Sequence, residues 1–191
     1  LRSPLPAIAT GPLAPGPAPA PPPAPLDFID TSFENASPLW YEFEEDGTVL
    51  IHLLYDQERL SPNRAAGHFH FRIQAEKGRT LTLELKNLAN VWNGKAGSVA
   101  KEIKQVVVSQ DGKAWTPVST ESPEEGRVRV TLEMPGTSLF VARAEPYRVS
   151  DLNRFLSGIK ASPLVKITPI GRTVQGRDVE IAALEMVAQA A

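Results

Sequence analysis

The sequence contains no cysteine. That excludes disulfides, thiolate metal sites and a cysteine nucleophile, while leaving the compartment open. It has no concentrated basic stretch, and its formal net charge is −2. Phosphate binding needs a dense positive patch, so nucleic acid and anionic membranes are not expected partners. No apolar run approaches the roughly 20 residues of a bilayer-crossing helix, so no membrane insertion is expected. A starting methionine is missing too: Leu1 in first place is what a processed, trimmed or fragmentary chain would show. Ala7-Ile8-Ala9 is similar to the small-residue end of a signal peptide, but no charged and apolar segment precedes it. The leader tilts the expected localisation towards export or a periplasm, with the cytoplasm as the alternative.

What is present is a core-forming composition. Of the 191 residues, 42% are hydrophobic and 22% charged, which suits one domain of ordinary size plus a fragment, or two small domains. Ten of the 18 prolines fall between Pro4 and Pro25, among alanines and glycines. Proline fixes φ and removes amide donors, so residues 1–30 are expected to be a disordered, Pro/Ala-rich linker with extended, polyproline-like character.

From Phe33 the dominant period is two. Phe69, Phe71 and Ile73 share one face of their run, Leu81, Leu83 and Leu85 the next, and Val128, Val130 and Leu132 a third. Alternation of this kind marks antiparallel strands with one buried and one solvated face. Further strands are expected at Thr48–Tyr55, Lys104–Ser109 and Ser138–Ala144. Asp46-Gly47, Lys77-Gly78, Asp111-Gly112, Glu125-Gly126 and Pro135-Gly136 supply the turns. About seven short strands so spaced predict an antiparallel β-sandwich over residues 31–145.

The period changes after Tyr147. Val149, Leu152, Phe155, Leu156 and Ile159 form one stripe on a helix. Ser150 is the expected N-cap, Asp151 favours the positive end of the helix dipole, and Ser162-Pro163 stops the helix. A hairpin is expected to follow, with strands near Val165–Ile170 and Asp178–Met186. One helix and one hairpin give little core, so residues 146–191 read as the beginning of a larger unit.

Pro146-Tyr147-Arg148-Val149-Ser150-Asp151-Leu152, Ser162-Pro163-Leu164-Val165 and Ile170-Gly171-Arg172-Thr173-Val174-Gln175-Gly176-Arg177 together resemble the entry to the catalytic domain of carboxypeptidase A-like zinc carboxypeptidases. Upstream, Ser32-Phe33-Glu34, Leu53-Leu54-Tyr55-Asp56, Phe69-His70-Phe71-Arg72 and Ser109-Gln110-Asp111-Gly112 are similar to the N-terminal β-sandwich of the cytosolic carboxypeptidase subfamily. The likeness runs from about Thr31 to Met186. It implies a mainly β chain, in which an antiparallel β-sandwich precedes a helix and hairpin that begin an α/β carboxypeptidase domain. It also implies a parent enzyme that removes C-terminal amino acids from peptides or proteins by zinc-assisted hydrolysis, and a sandwich that packs on the catalytic domain. In that family zinc is held by an H-x-x-E pair and a later histidine, and arginines hold the substrate carboxylate. The H-x-x-E pair is expected after the Asp178–Met186 strand. No position up to Ala191 inherits a ligand, a base or the carboxylate clamp. The expectation for these 191 residues alone is therefore no catalytic residue, no bound zinc and no activity, with substrate-binding residues unknown.

Other residues invite a site. His68 and His70 form an H-x-H that puts both imidazoles on one face of a strand; lying beside Arg72, they are expected to be surface residues rather than zinc ligands. The Ser109–Trp115 turn reads as structural, with Trp115 packed beneath it. Trp40, Tyr41 and Trp92 suggest a stacking platform, and so an alternative function as a non-catalytic module binding carbohydrate or protein. Arg172 and Arg177 are expected to be solvated or to pair with Glu180. Glu44-Glu45-Asp46 and the run from Glu121 to Glu125 are expected to be exposed turns.

Overall fold

A computed structural model describes residues 24–54 and 62–184. Residues 1–23 of the expected linker lie outside the described residues, as do Tyr55, Asp56 and Met186. Residues 24–30 correct the expectation of a linker up to residue 30: Leu26 and Ile29 are buried in the core and Phe28–Asp30 pairs as a strand, so the folded domain begins earlier than Thr31. The order of elements is β1 (Phe28–Asp30), β2 (Leu39–Phe43), β3 (Val49–Leu53), β4 (His70–Gln74), β5 (Thr80–Lys86), β6 (Ala89–Trp92), β7 (Lys95–Ser98), β8 (Gln105–Ser109), β9 (Thr116–Ser119), β10 (Val128–Glu133), β11 (Ser138–Ala142), α1 (Val149–Ile159), β12 (Val165–Arg172) and β13 (Asp178–Leu184), with a short 3-10 turn at Ala100–Glu102.

Two sheets make a sandwich. One runs β1-β4-β11-β8-β9 and the other β10-β5-β3-β2. Their inner faces meet in a single core, to which β4 brings Phe71 and Ile73, β5 brings Leu81, Leu83 and Leu85, β10 brings Val128, Val130 and Leu132, and β3 brings Val49, Ile51 and Leu53. Those of β4, β5 and β10 are the residues whose spacing of two marks them in the sequence. Burying each large apolar side chain contributes about 1.5–3 kcal/mol, and the sheets hold together chiefly through this.

The strands pair antiparallel except for β3 and β5, where Val49 faces Leu83 in a parallel register. The path explains it. The chain leaves β3, crosses to β4 in the opposite sheet and returns to β5, and two reversals restore the original direction. β6 and β7 form a separate hairpin whose turn, Asn93-Gly94, has φ of +48° and +76°. That is the left-handed geometry that Asn-Gly adopts at least cost.

The helix starts earlier than its sequence suggests. Arg148, not Ser150, is the N-cap, and Asp151 is the third helical residue. The Asp151 carboxylate accepts from the Arg148 backbone N–H at 3.0 Å and from its guanidinium at 2.8 and 3.2 Å, which fixes the first turn around Arg148. No residue of α1 is buried. Val149, Leu152 and Phe155 are exposed, as are Ile170, Val179, Ile181 and Leu184 of the β12–β13 hairpin. Among the described residues no helix is long and apolar enough to cross a membrane.

Candidate functional site

The five-stranded sheet turns its outer face towards the chain that leads into α1. On β4 this face carries His70, Arg72 and Gln74, the residues that alternate with core Phe71 and Ile73. Phe140 of β11 lies opposite Arg72, and Asp30 of β1 lies opposite it on the other side. The alternating pattern predicts a solvated face here, and around His70 the structure corrects it. Phe33 folds over the strand from the segment after β1, and Trp115 reaches in from the turn after β8. His70 is thereby only 2% exposed. Its ring meets Phe33 at 4.9 Å, Trp115 at 5.6 Å and Phe140 at 6.0 Å. The Arg72 guanidinium lies 5.9 Å from the Phe33 ring and 5.6 Å from that of Phe140, and pairs with Asp30.

Burial pushes His70 down to about 4, and charge on His68 and Arg148 adds to the effect. Two Ser32 hydrogen bonds, through hydroxyl and backbone N–H, with further help from Arg72, hold Asp30 down to about 2. The Ser109-Asp111-Gly112 part of the Ser109–Trp115 turn is built as its sequence implies, while Trp115 meets His70 of β4. The backbone N–H groups of Ala114 and Lys113 donate to the Asp111 carboxylate at 3.0 and 2.9 Å, and the Ser109 hydroxyl donates at 3.0 Å. Together they hold Asp111 down to about 2. Gly112 sits at φ +67°, where a side chain would be strained.

This face runs directly into the joint with α1. The Glu34 carboxylate, next in sequence to Phe33, accepts from the Ser150 backbone N–H at 2.9 Å. The bond spans 116 residues of chain and satisfies one of the orphan amides of the helix start. Ser150 hydrogen bonds hold Glu34 below its ordinary value, and those from Arg148 do the same for Asp151.

The opposite face, on the four-stranded sheet, has a different composition. Trp40 is half-exposed and stacks on His52 at 3.6 Å with an interplanar angle of 5°. The His52 ring lies 2.8 Å from the Glu42 carboxylate. Beside them Glu84 is 1% exposed, yet fully met by Arg127 at 2.6 Å and Arg129 at 2.8 Å. Burial alone would raise Glu84, but hydrogen bonds from Arg129 and Arg127 outweigh it and leave the carboxyl below its ordinary value.

The suggested aromatic platform is not assembled. Trp40 points outward and Tyr41, its neighbour in the strand, packs on the core. Trp92 stands exposed on the separate β6–β7 hairpin. Arg172 pairs with Asp178 at 3.1 Å, not with Glu180, because the hairpin register sets Arg172 directly across from Asp178 and Glu180 across from Pro169. The acidic runs at 44–46 and 121–125 are exposed.

The residues described do not fit a zinc site. Among them no three or more His, Asp or Glu side chains converge. His70 is enclosed by aromatic rings, and His52 lies on the other sheet.

The sequence model of the family described as cytosolic carboxypeptidase N-terminal domain matches residues 29–143. No curated protein matches the chain. Among solved structures, a metallo-carboxypeptidase from Burkholderia cenocepacia is 19% identical with a TM-score of 0.71, the match covering 86% of this chain and 41% of that one. A metallo-carboxypeptidase from Pseudomonas aeruginosa is 20% identical with a TM-score of 0.68, covering 86% and 42%. A putative carboxypeptidase A from Shewanella denitrificans OS-217 is 22% identical with a TM-score of 0.67, covering 82% and 39%. At these identities the likeness establishes the fold. The chain spans about two fifths of the length of these structures.

Proposed function

The chain belongs to the cytosolic carboxypeptidase N-terminal domain family, and on that premise we propose that it is the front portion of a zinc metallocarboxypeptidase that removes C-terminal residues from peptides or proteins. In this reading the sandwich is a non-catalytic domain packed on the catalytic one, and α1 with β12–β13 opens the catalytic domain. These 191 residues alone are inactive in this reading.

One observation carries it. The shared fold covers 86% of this chain, a larger share than residues 29–143 make up, so it reaches past the sandwich. In that further stretch α1 and the hairpin leave Leu152, Phe155, Ile181 and Leu184 exposed. An amphipathic helix with no buried residue gains nothing from its apolar stripe until another layer covers it. The relatives possess the additional chain that could form such a layer. The reading is tested by the protein sequence following residue 191. An H-x-x-E pair in the next strand and loop is expected, and a continuation without one overturns the proposal.

A second reading, a free-standing module that binds carbohydrate, has the half-exposed Trp40 stacked on His52 in its favour. Saturable binding to a glycan array that is lost in Trp40→Ala would support it. A flat response removes it.

A further inference from the structure

The buried His70 is a side chain of the outer face that packing alone does not explain. Neither of its ring nitrogens has a hydrogen-bond partner, and a phenyl ring would fill the same space without the cost of desolvating them. The residue that closes the box over it, Phe33, is bonded in sequence to Glu34, the residue that fastens the start of α1. We propose that Phe33 and Glu34 form a latch that holds α1 against the sandwich, and that His70 is its acid-sensitive catch: protonating the imidazole drives Phe33 off the sheet and withdraws Glu34 from Ser150.

Burial sets the direction, and the charges around the box reinforce it. Arg72 lies on the same strand face and is neutralised by Asp30, and His68 precedes it. Arg148 approaches from the entry to α1, paired with Asp151, which also holds Arg154. Glu34 is engaged by Ser150. A proton on His70 therefore meets the charge of Arg148 and of His68, while the carboxylates nearest the box, Asp30, Asp151 and Glu34, already have partners. The Asn35 carbonyl favours the charged ring but closes no hydrogen bond with it.

As pH falls, His70 changes charge before the latch carboxylates do. With the box open and the ring in water, the imidazole takes its proton near 6.5; with the box closed it does so only near 4. The open form therefore binds the proton more tightly, and the closed form loses ground by about tenfold per pH unit between those limits. Glu34, Asp151 and Asp30 are all held below their ordinary values and stay ionised through most of this interval.

This device goes beyond the carboxypeptidase reading and rests on it only for what the joint serves. Its readouts need no catalysis, so its failure leaves that reading standing. The test uses the whole chain and follows amide exchange in α1, together with the His70 ring protons by NMR, from pH 7 to 4. The expected result is a His70 titration near 4 and an α1 protection factor that falls about tenfold per pH unit. In His70→Phe the protection should become flat with pH. In Glu34→Ala, α1 should lose protection at every pH and the His70 titration should move up towards 6.5. Should His70→Phe fail to fold, Glu34→Ala decides alone. An unchanged pH slope in His70→Phe, or an unmoved His70 titration in Glu34→Ala, overturns the proposal.

Discussion

Glu84 and His70, the most deeply buried ionisable residues among those described, shape the acid and charge sensitivity of this protein in opposite ways. Glu84 is enclosed but fully paired, so its neighbours matter more than it does. Removing both Arg127 and Arg129 strands a carboxylate that is 1% exposed, and the double alanine variant should lose about 3–5 kcal/mol in urea unfolding. Glu84→Leu should cost far less, because the two arginines left behind are partly solvated and Leu50 beside it is already apolar. An equal loss in the two variants would contradict the pairing account. His70 is enclosed and unpaired, and the sign of its effect follows from its lowered value. Its stabilising contribution is complete above 6.5 and is lost as pH falls towards about 4. Asp30 and Asp111 act later: their contributions are complete above 3.8 and disappear as pH falls through about 2. Urea midpoints measured from pH 8 to 2 should therefore fall in two stages, and His70→Phe should remove only the upper one.

The elements divide into those with a core and those without. Phe71 is wholly buried, whereas Phe155 is 57% exposed on a helix without buried residues. Phe71→Ala should cost about 3–5 kcal/mol, and Phe155→Ala no more than about 0.5 kcal/mol in this chain. Limited proteolysis should cut first between Ala144 and Val149 or within the hairpin turn, leaving the sandwich whole; cleavage starting in β4 or β5 would count against this division. The same division explains what the sequence made legible. β4, β5 and β10 each set one apolar face against the core, so a period of two marks them plainly. β2 is Leu-Trp-Tyr-Glu-Phe, whose aromatic residues fall on both faces, and β9 carries Pro117 beside an edge; neither alternates cleanly. The β6–β7 hairpin was not read from the sequence: its strands are only four residues each, too short for alternation to show, and only the Asn93-Gly94 pair marks it. The aromatic box around His70 was hidden for another reason. Phe33, Trp115 and Phe140 come from three distant stretches, and only the sheet order brings them together. Ser150 as N-cap failed for a local reason: the Asp151 carboxylate closes on Arg148, three residues before it, and starts the helix there.

At the scale of the whole molecule, a self-sufficient sandwich carries an appendage whose apolar side chains face water. On the proposed reading these surfaces belong inside a catalytic domain supplied by further chain. The most direct measurement compares this 191-residue chain with the longer polypeptide that contains it, each assayed for bound zinc and for release of C-terminal residues from peptides with and without a chelator. The longer polypeptide should hold about one zinc per chain and release residues in a chelator-sensitive way, and the 191 residues should do neither. Metal-free, inactive longer protein, or chelator-sensitive release by the 191 residues themselves, would contradict the account.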